Sequence, residues 1–420
     1  MYACITDYIP IVQGMNYDYT GHIYASAGIA FYNSEKEYIS GIGERYTNPL
    51  PIPEGAAYMR ISDVDLSDSG TFEGQVIEYS VGKFEELENS MNENSRIQIC
   101  CTGDSVTEGM GMNGAHYANY GESPYPARLY TILVDNGYKN IQVINQGHGG
   151  ERCPEIGVRI GGLPCYFSEN ITIPSDNTKV SLGKRNVVSN KITGTKIKTP
   201  YPDKEGEDYC VYFTQLSHDT NPVTIDGVKY NLTVSDETNY IQKINNDGKE
   251  TIIPEGALLF TNNNHNATIN IIYGGINDGV SLTLEKWLDI MKSCGESNGG
   301  KYIVLGSTHD IWKYWSDLTG SDSEKYKTYR RKCFESFGIR FIDLYDEFAR
   351  HALDYALSAG YYSDKSEEEL QIMRNLLSQH IIPAEMSYNK ESQGDVHLSE
   401  EGYHVIGMLL FERLKTLNYI

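Results

Sequence analysis

No stretch of the 420 residues approaches the run of about 18 consecutive apolar side chains that a membrane-spanning helix needs. Basic charge is scarce: 35 Lys and Arg stand against 57 Asp and Glu, a net charge of −22. A surface of that sign repels phosphate backbones and anionic lipid, which argues against nucleic acid and membrane as partners. The eight cysteines include no CxxC pair and no Cys/His ladder, which argues against a zinc site. Cys100 and Cys101 are adjacent in an apolar run and read as buried free thiols. Residues 1–7 carry neither the basic stretch nor the long apolar core of a signal peptide. The expectation is either that the chain is not exported by that route or that it was cut from a longer one; its location stays unknown. Three Asn-x-Thr sequons, at Asn170, Asn231 and Asn266, carry little weight in a chain this rich in Asn.

With 40% hydrophobic residues there is enough apolar material for real cores, and the length predicts roughly two to four domains. Residues 1–92 read as short strands separated by turn residues, for example His22–Ala25, Gly28–Tyr32 and Ala57–Ile61. Such spacing predicts an N-terminal β-sandwich module, with the acidic stretch 84–95 as a linker or short helix. From residue 93 the rhythm changes to alternating strand and helix. Strands are expected at 96–101 and 141–144 and a helix at 126–136, which indicates α/β with a parallel sheet. Residues 165–267 return to Thr-, Asn- and Val-rich β-type sequence, too long for a plain loop, and are read as an inserted β domain. The α/β rhythm resumes over 268–420, with strands at 268–273, 302–305 and 339–344, and helices at 282–291, from 344 through His351, and at 400–417. Ser399 ahead of Glu400 and Glu401 is a reasonable N-cap for the last of these. One pentapeptide, Ile-Pro-Glu-Gly-Ala, occurs at both 52–56 and 253–257 and reads as a recurrent turn before a strand.

Four short motifs fall at the ends of these elements. Gly103-Asp104-Ser105 follows the first strand of the α/β part, at the edge where open α/β sheets bind ligands. Asn145-Gln146-Gly147-His148-Gly149-Gly150 follows the second strand; clustered glycines there let backbone N–H groups face a bound atom. Gly274-Gly275-Ile276-Asn277-Asp278 ends the strand after the insert, where an Asn amide can donate to a developing oxyanion and Asp278 can brace the loop. Asp395-Val396-His397 precedes the terminal helix and supplies a candidate general base with a carboxylate nearby. Of the ten histidines, His397 stands out by context, whereas His148, His309 and His404 do not.

Ser105, Gly150, Asn277 and His397, in that order, resemble the marker residues of the SGNH, or GDSL, hydrolases over about residues 95–164 and 268–420. The resemblance implies a three-layer α/β/α sandwich and ester hydrolysis through a serine nucleophile, with no metal or cofactor. Ser105 is then the nucleophile and His397 the base. The backbone N–H groups of Ser105 and Gly150 and the Asn277 amide form the oxyanion hole. The sequence departs from the family in two ways. The usual acid lies three residues before the His, but position 394 is Gly; Asp395, two before, is taken as the acid, with Glu391 or a backbone carbonyl as alternatives. The insert at 165–267 replaces what is ordinarily a helix and a short loop, and is expected to shape the substrate cleft.

No amphipathic lid flanks the motifs, which points away from long acyl chains. Both β-type regions are rich in Tyr, Asn and Thr, side chains that stack on and hydrogen-bond to sugars. Tyr117, Tyr120, Tyr125, Trp312, Tyr314 and Trp315 are candidates either for lining such a site or for ordinary packing. The N-terminal segments Phe31-Tyr32-Asn33, Tyr38-Ile39-Ser40-Gly41 and 52–60 resemble small β modules of bacteriophage tail proteins and gut bacterial glycan-processing enzymes. The resulting expectation is a carbohydrate O-acetylesterase acting on an acetylated polysaccharide or sialylated glycan. The alternatives are a short-chain lipase or thioesterase, and a non-catalytic glycan-binding tail protein on a decayed scaffold. A homo-oligomer is left open: a trimer suits a phage tail and a monomer a free enzyme.

Overall fold

The computed structural model describes residues 4–5, 8–11, 16–20, 28–42, 50, 52–63, 75–79, 97–109, 124–138, 140–188, 191–202, 206–216, 219–262, 267–297 and 300–420. They belong to two compact units, 1–96 and 97–420.

In the first unit, Cys4–Ile5, Ile9–Pro10, Ile29–Tyr32, Tyr38–Ile42 and Tyr58–Asp63 form an antiparallel sheet. Asn16–Thr20 and Gln75–Tyr79 pair separately. Period-two alternation sends Ile29, Phe31, Met59 and Ile61 into a small core with Tyr17 and Leu50. The expected strand at 22–25 and the acidic stretch 84–95 lie outside the described residues.

The second unit is α/β. Five parallel strands lie side by side in the order Ile141–Gly147, Ile97–Gly103, Ile269–Tyr273, Tyr302–Leu305, Phe341–Ile342. Counted along the chain this is 2-1-3-4-5, so the order reverses between Ile97–Gly103 and Ile269–Tyr273, and the crevice at their C-terminal ends is where such sheets bind ligands. Both faces are covered, as parallel sheets require. Ile99, Cys101, Ile271, Tyr273 and Ile303 face the helices Tyr125–Asp135, Leu344–Ser358, Glu367–Ser378 and Glu400–Thr416. Ile272, Tyr302, Val304 and Phe341 face Cys153–Arg159, Leu284–Glu296 and Asp322–Phe337. Ser399 caps the last helix as expected, its side chain accepting from the Gly402 N–H.

Residues 165–267 are antiparallel strands among the described residues, the largest sheet running Val180–Lys184, Thr238–Lys243, Val228–Ser235, Val223–Ile225. Their apolar side chains are continuous with the α/β core: Phe167, Ile173, Leu182, Val223 and Ile241 join the same cluster as Val158, Trp287 and Met291. The repeated pentapeptide is the same turn twice. In each copy the Ala N–H donates to the Pro carbonyl (3.2 and 3.1 Å), with Gly55 at φ +82° and Gly256 at φ +83°.

The structure decides between the two readings for several aromatics. Tyr125, Trp312 and Trp315 are buried, the two tryptophans packing around Trp287 and Tyr329, so they are core rather than sugar platforms. Tyr314 is exposed, while Tyr117 and Tyr120 lie outside the described residues. All seven described free cysteines, Cys100 and Cys101 among them, are buried. Among the described residues, no helix is long and apolar enough to cross a membrane.

Candidate functional site

Ser105 opens a single helical turn, Ser105–Glu108, directly after the strand Ile97–Gly103. Asp104 caps that turn: its Oδ1 accepts the Val106 N–H at 3.0 Å. Gly109 closes it at φ +86°, its N–H donating to the Ser105 carbonyl. Asp104 is fully buried, and burial pushes its carboxyl up to about 8 against the opposing pull of the Val106 N–H.

The glycine-rich turn is laced to this element. Asn145 accepts the Gly147 N–H (2.9 Å) through its side-chain oxygen and donates from its amide to the Glu108 carbonyl (3.3 Å). The His148 N–H donates to the Gly103 carbonyl at 2.9 Å. Gly147 lies hard against the Ser105 turn, where a Cβ would stand 2.0 Å from the Glu108 nitrogen. Gly150 adopts φ +76°, the left-handed conformation that turns the chain into Glu151. Asn277, at the end of Ile269–Tyr273, donates from its amide to the Glu151 carbonyl at 2.8 Å. Asp278 braces the loop, its two oxygens accepting the Cys153 N–H at 3.2 and 3.1 Å. Burial raises its carboxyl to about 6.

The fourth motif meets the first. His397 Nε2 lies 2.9 Å from Ser105 Oγ, across 292 residues of sequence. Burial is the largest influence on the imidazole and holds its pKa below the ordinary histidine value; the Asp395 and Glu108 carboxylates oppose this and His309 adds to it. Asp395 Oδ1 accepts the His397 backbone N–H at 3.1 Å and lies 3.9 Å from Nδ1, close enough to act by charge but beyond hydrogen-bond length. Glu391 is exposed on the preceding turn.

The structure thus brings Ser105 and His397 into contact and sets Asn277 against the residue that follows Gly150. It also adds residues that the motifs did not single out. His309 donates from Nε2 to the Gly394 carbonyl (3.0 Å), with Nδ1 accepting from the Thr308 hydroxyl (2.9 Å), so it pins the turn that carries Asp395 and His397. Glu108, buried at the end of the Ser105 turn, accepts from Gln215 of the insert at 2.8 Å. His148, Glu151, Arg159 and Asp219 form a buried cluster of charge beneath the glycine turn. Among the described residues no group of acidic, His and Cys side chains is arranged to hold a metal ion.

No family model matches the chain, and no curated protein matches it in sequence. Among solved structures it is similar to one described as "Peptidoglycan O-acetylesterase in action, 5 min", at 14% identity over 79% of this chain and 95% of that one, with a TM-score of 0.27. A likeness that loose carries no weight for fold or activity.

The contact between Gly147 and the Ser105 turn is backbone against backbone, so a side chain there must displace Ser105's own element. Gly147→Ala is predicted to lower stability by about 1–3 kcal/mol or more. The measurement is urea unfolding; a midpoint equal to wild type contradicts the packing described.

Proposed function

We propose that the protein is a serine esterase of the SGNH type that removes O-acetyl groups from carbohydrate. The observation that carries this reading is the 2.9 Å contact of Ser105 Oγ with His397 Nε2 at the C-terminal ends of the strands flanking the sheet's reversal. His397, neutral, takes the proton of Ser105 as the hydroxyl attacks the ester carbonyl. The carbonyl oxygen becomes an oxyanion held by the N–H groups of Ser105 and Gly150 and by the Asn277 amide. That amide has two hydrogens, and the one given to Glu151 fixes the direction of the other. His397 then returns its proton to the leaving sugar hydroxyl, and water repeats the sequence on the acetyl-enzyme. Asp395 serves as the acid by stabilising the imidazolium through charge and by fixing the turn, since its oxygen already accepts the His397 backbone N–H.

The acetyl and carbohydrate parts of the reading are supported by polarity. Glu108, Thr214, Gln215, His309 and Asp395 surround the Ser–His pair and the glycine turn, a setting that suits a small acyl group on a hydroxyl-rich alcohol better than a long alkyl chain.

A series of p-nitrophenyl esters from acetate to octanoate, with acetylated polysaccharides alongside, tests this. The expected result is turnover on acetate that falls with chain length, and a loss of at least about 10³-fold in Ser105→Ala. Activity that rises beyond about four carbons contradicts the acetyl preference and favours a lipase or thioesterase. Glycan binding without turnover, indifferent to Ser105→Ala, favours a decayed scaffold.

The pH dependence has a defined sign. His397 must be neutral to act as base, and burial disfavours its charged form, so activity persists below the ordinary histidine value and is lost only as pH falls through the depressed pKa. The acidic limb of kcat/KM is predicted to have its midpoint below 6.5. A midpoint above that value contradicts the assignment of His397.

A further inference from the structure

The inserted segment reaches beneath the glycine turn with one carboxylate. Asp219 Oδ2 accepts from Arg159 Nη1 at 2.7 Å, and its Oδ1 lies 3.2 Å from His148 Nε2. Arg159 also donates from Nε and Nη2 to Glu151 Oε2, at 2.9 and 2.7 Å, and from Nη2 to the Gly103 carbonyl at 3.1 Å. The ring closes where His148 Nδ1 lies 3.3 Å from Glu151 Oε1. All four side chains are buried. With two carboxylates and one guanidinium, the cluster is neutral only when His148 carries a proton. Burial and Arg159 push the His148 pKa down, but Glu151 and Asp219 outweigh them and hold it above the ordinary value.

A buried cluster of charge is a poor means of holding two segments together, because apolar packing does so without desolvating ions. Its distinctive product is geometry. The Arg159 fork fixes a carbonyl two residues before Ser105 and the residue directly after Gly150 at the same time. The backbone carbonyl of that residue, Glu151, holds the Asn277 amide. All three proposed oxyanion donors therefore hang on groups that Arg159 and Glu151 position, and Asp219 of the insert orients Arg159.

We propose that Asp219 is a positioning residue for the oxyanion site, acting through Arg159 and Glu151 on the Gly150 N–H and the Asn277 amide. The insert is thereby a working part of the catalytic unit and not an appended module. This inference rests on the serine esterase reading given above.

The test is a double-mutant cycle between Asp219→Asn and Asn277→Ala with p-nitrophenyl acetate as probe. Asp219→Asn keeps shape and loses charge; alone it is expected to lower kcat about 10- to 100-fold with KM within about twofold of wild type. In the Asn277→Ala background the same change should cost several-fold less than in wild type, because one of the two donors it positions is already gone. An equal factor in both backgrounds, or wild-type kcat in Asp219→Asn, overturns the proposal. If Asp219→Asn does not fold, as judged by thermal unfolding, Arg159→Lys enters the same cycle. It keeps the charge, but a single ammonium cannot engage Gly103, Glu151 and Asp219 together. Ser105→Ala measured in parallel separates the two claims. Turnover surviving in that variant sinks the esterase reading, whereas Ser105-dependent turnover with equal factors sinks only the role of Asp219.

Discussion

The carbonyl of Gly103 accepts two hydrogen bonds, from the His148 N–H and from Arg159 Nη2, and the site depends on that arrangement. Gly103 is the last residue of a central strand, paired with Gly147 on one side, while the ladder to Ile269–Tyr273 on the other side runs up to Thr102. Two residues later the chain presents Ser105. A strand end can stay mobile when its last carbonyl faces water; here the carbonyl is held by a backbone donor from the neighbouring strand's loop and by a buried guanidinium. The Ser105 hydroxyl therefore starts from a held backbone, and on the other side of the 2.9 Å contact the turn that carries His397 is tied by His309 through the Gly394 carbonyl.

The strand order explains why these particular residues meet. The reversal between Ile97–Gly103 and Ile269–Tyr273 opens a crevice at their C-terminal ends, and Ser105 and Asn277 follow those ends directly. The glycine turn comes from the strand on the other side, and His397 arrives from the loop before the terminal helix, pinned through Gly394 by His309. The insert shares the core on one face of the sheet and sends Tyr209 to Arg152, Gln215 to Glu108 and Asp219 to Arg159.

Much of this was legible in the sequence because the motifs are local. A glycine-bearing triplet after an apolar run marks a strand end, and the runs expected at 96–101, 141–144, 268–273 and 302–305 correspond to the strands Ile97–Gly103, Ile141–Gly147, Ile269–Tyr273 and Tyr302–Leu305. Two of the longer helices, Asp322–Phe337 and Glu367–Ser378, fall outside the elements expected from the sequence. The first buries only Tyr329, Cys333 and Phe337, too thin a stripe to stand out. Both nevertheless carry capping boxes, Ser321 with Glu324 and Ser366 with Glu369, a signal present in the sequence. The charge cluster had no such signal. Arg159 and Asp219 are 60 residues apart, and nothing in either's neighbourhood announces a partner that only the packed insert supplies. The aromatics stay ambiguous in the sequence for a related reason: Trp312 and Trp315 sit in a loop-like stretch, yet tertiary packing draws them inside.

The proposed chemistry stands on Ser105, activated by His397, as the nucleophile. Reaction of the intact protein with a fluorophosphonate, followed by mass spectrometry of the adduct, tests it most directly. Such reagents need an activated serine and an oxyanion site together. The expected result is one adduct per chain, mapped to Ser105 and absent in His397→Gln. No adduct, or one on another residue, contradicts it.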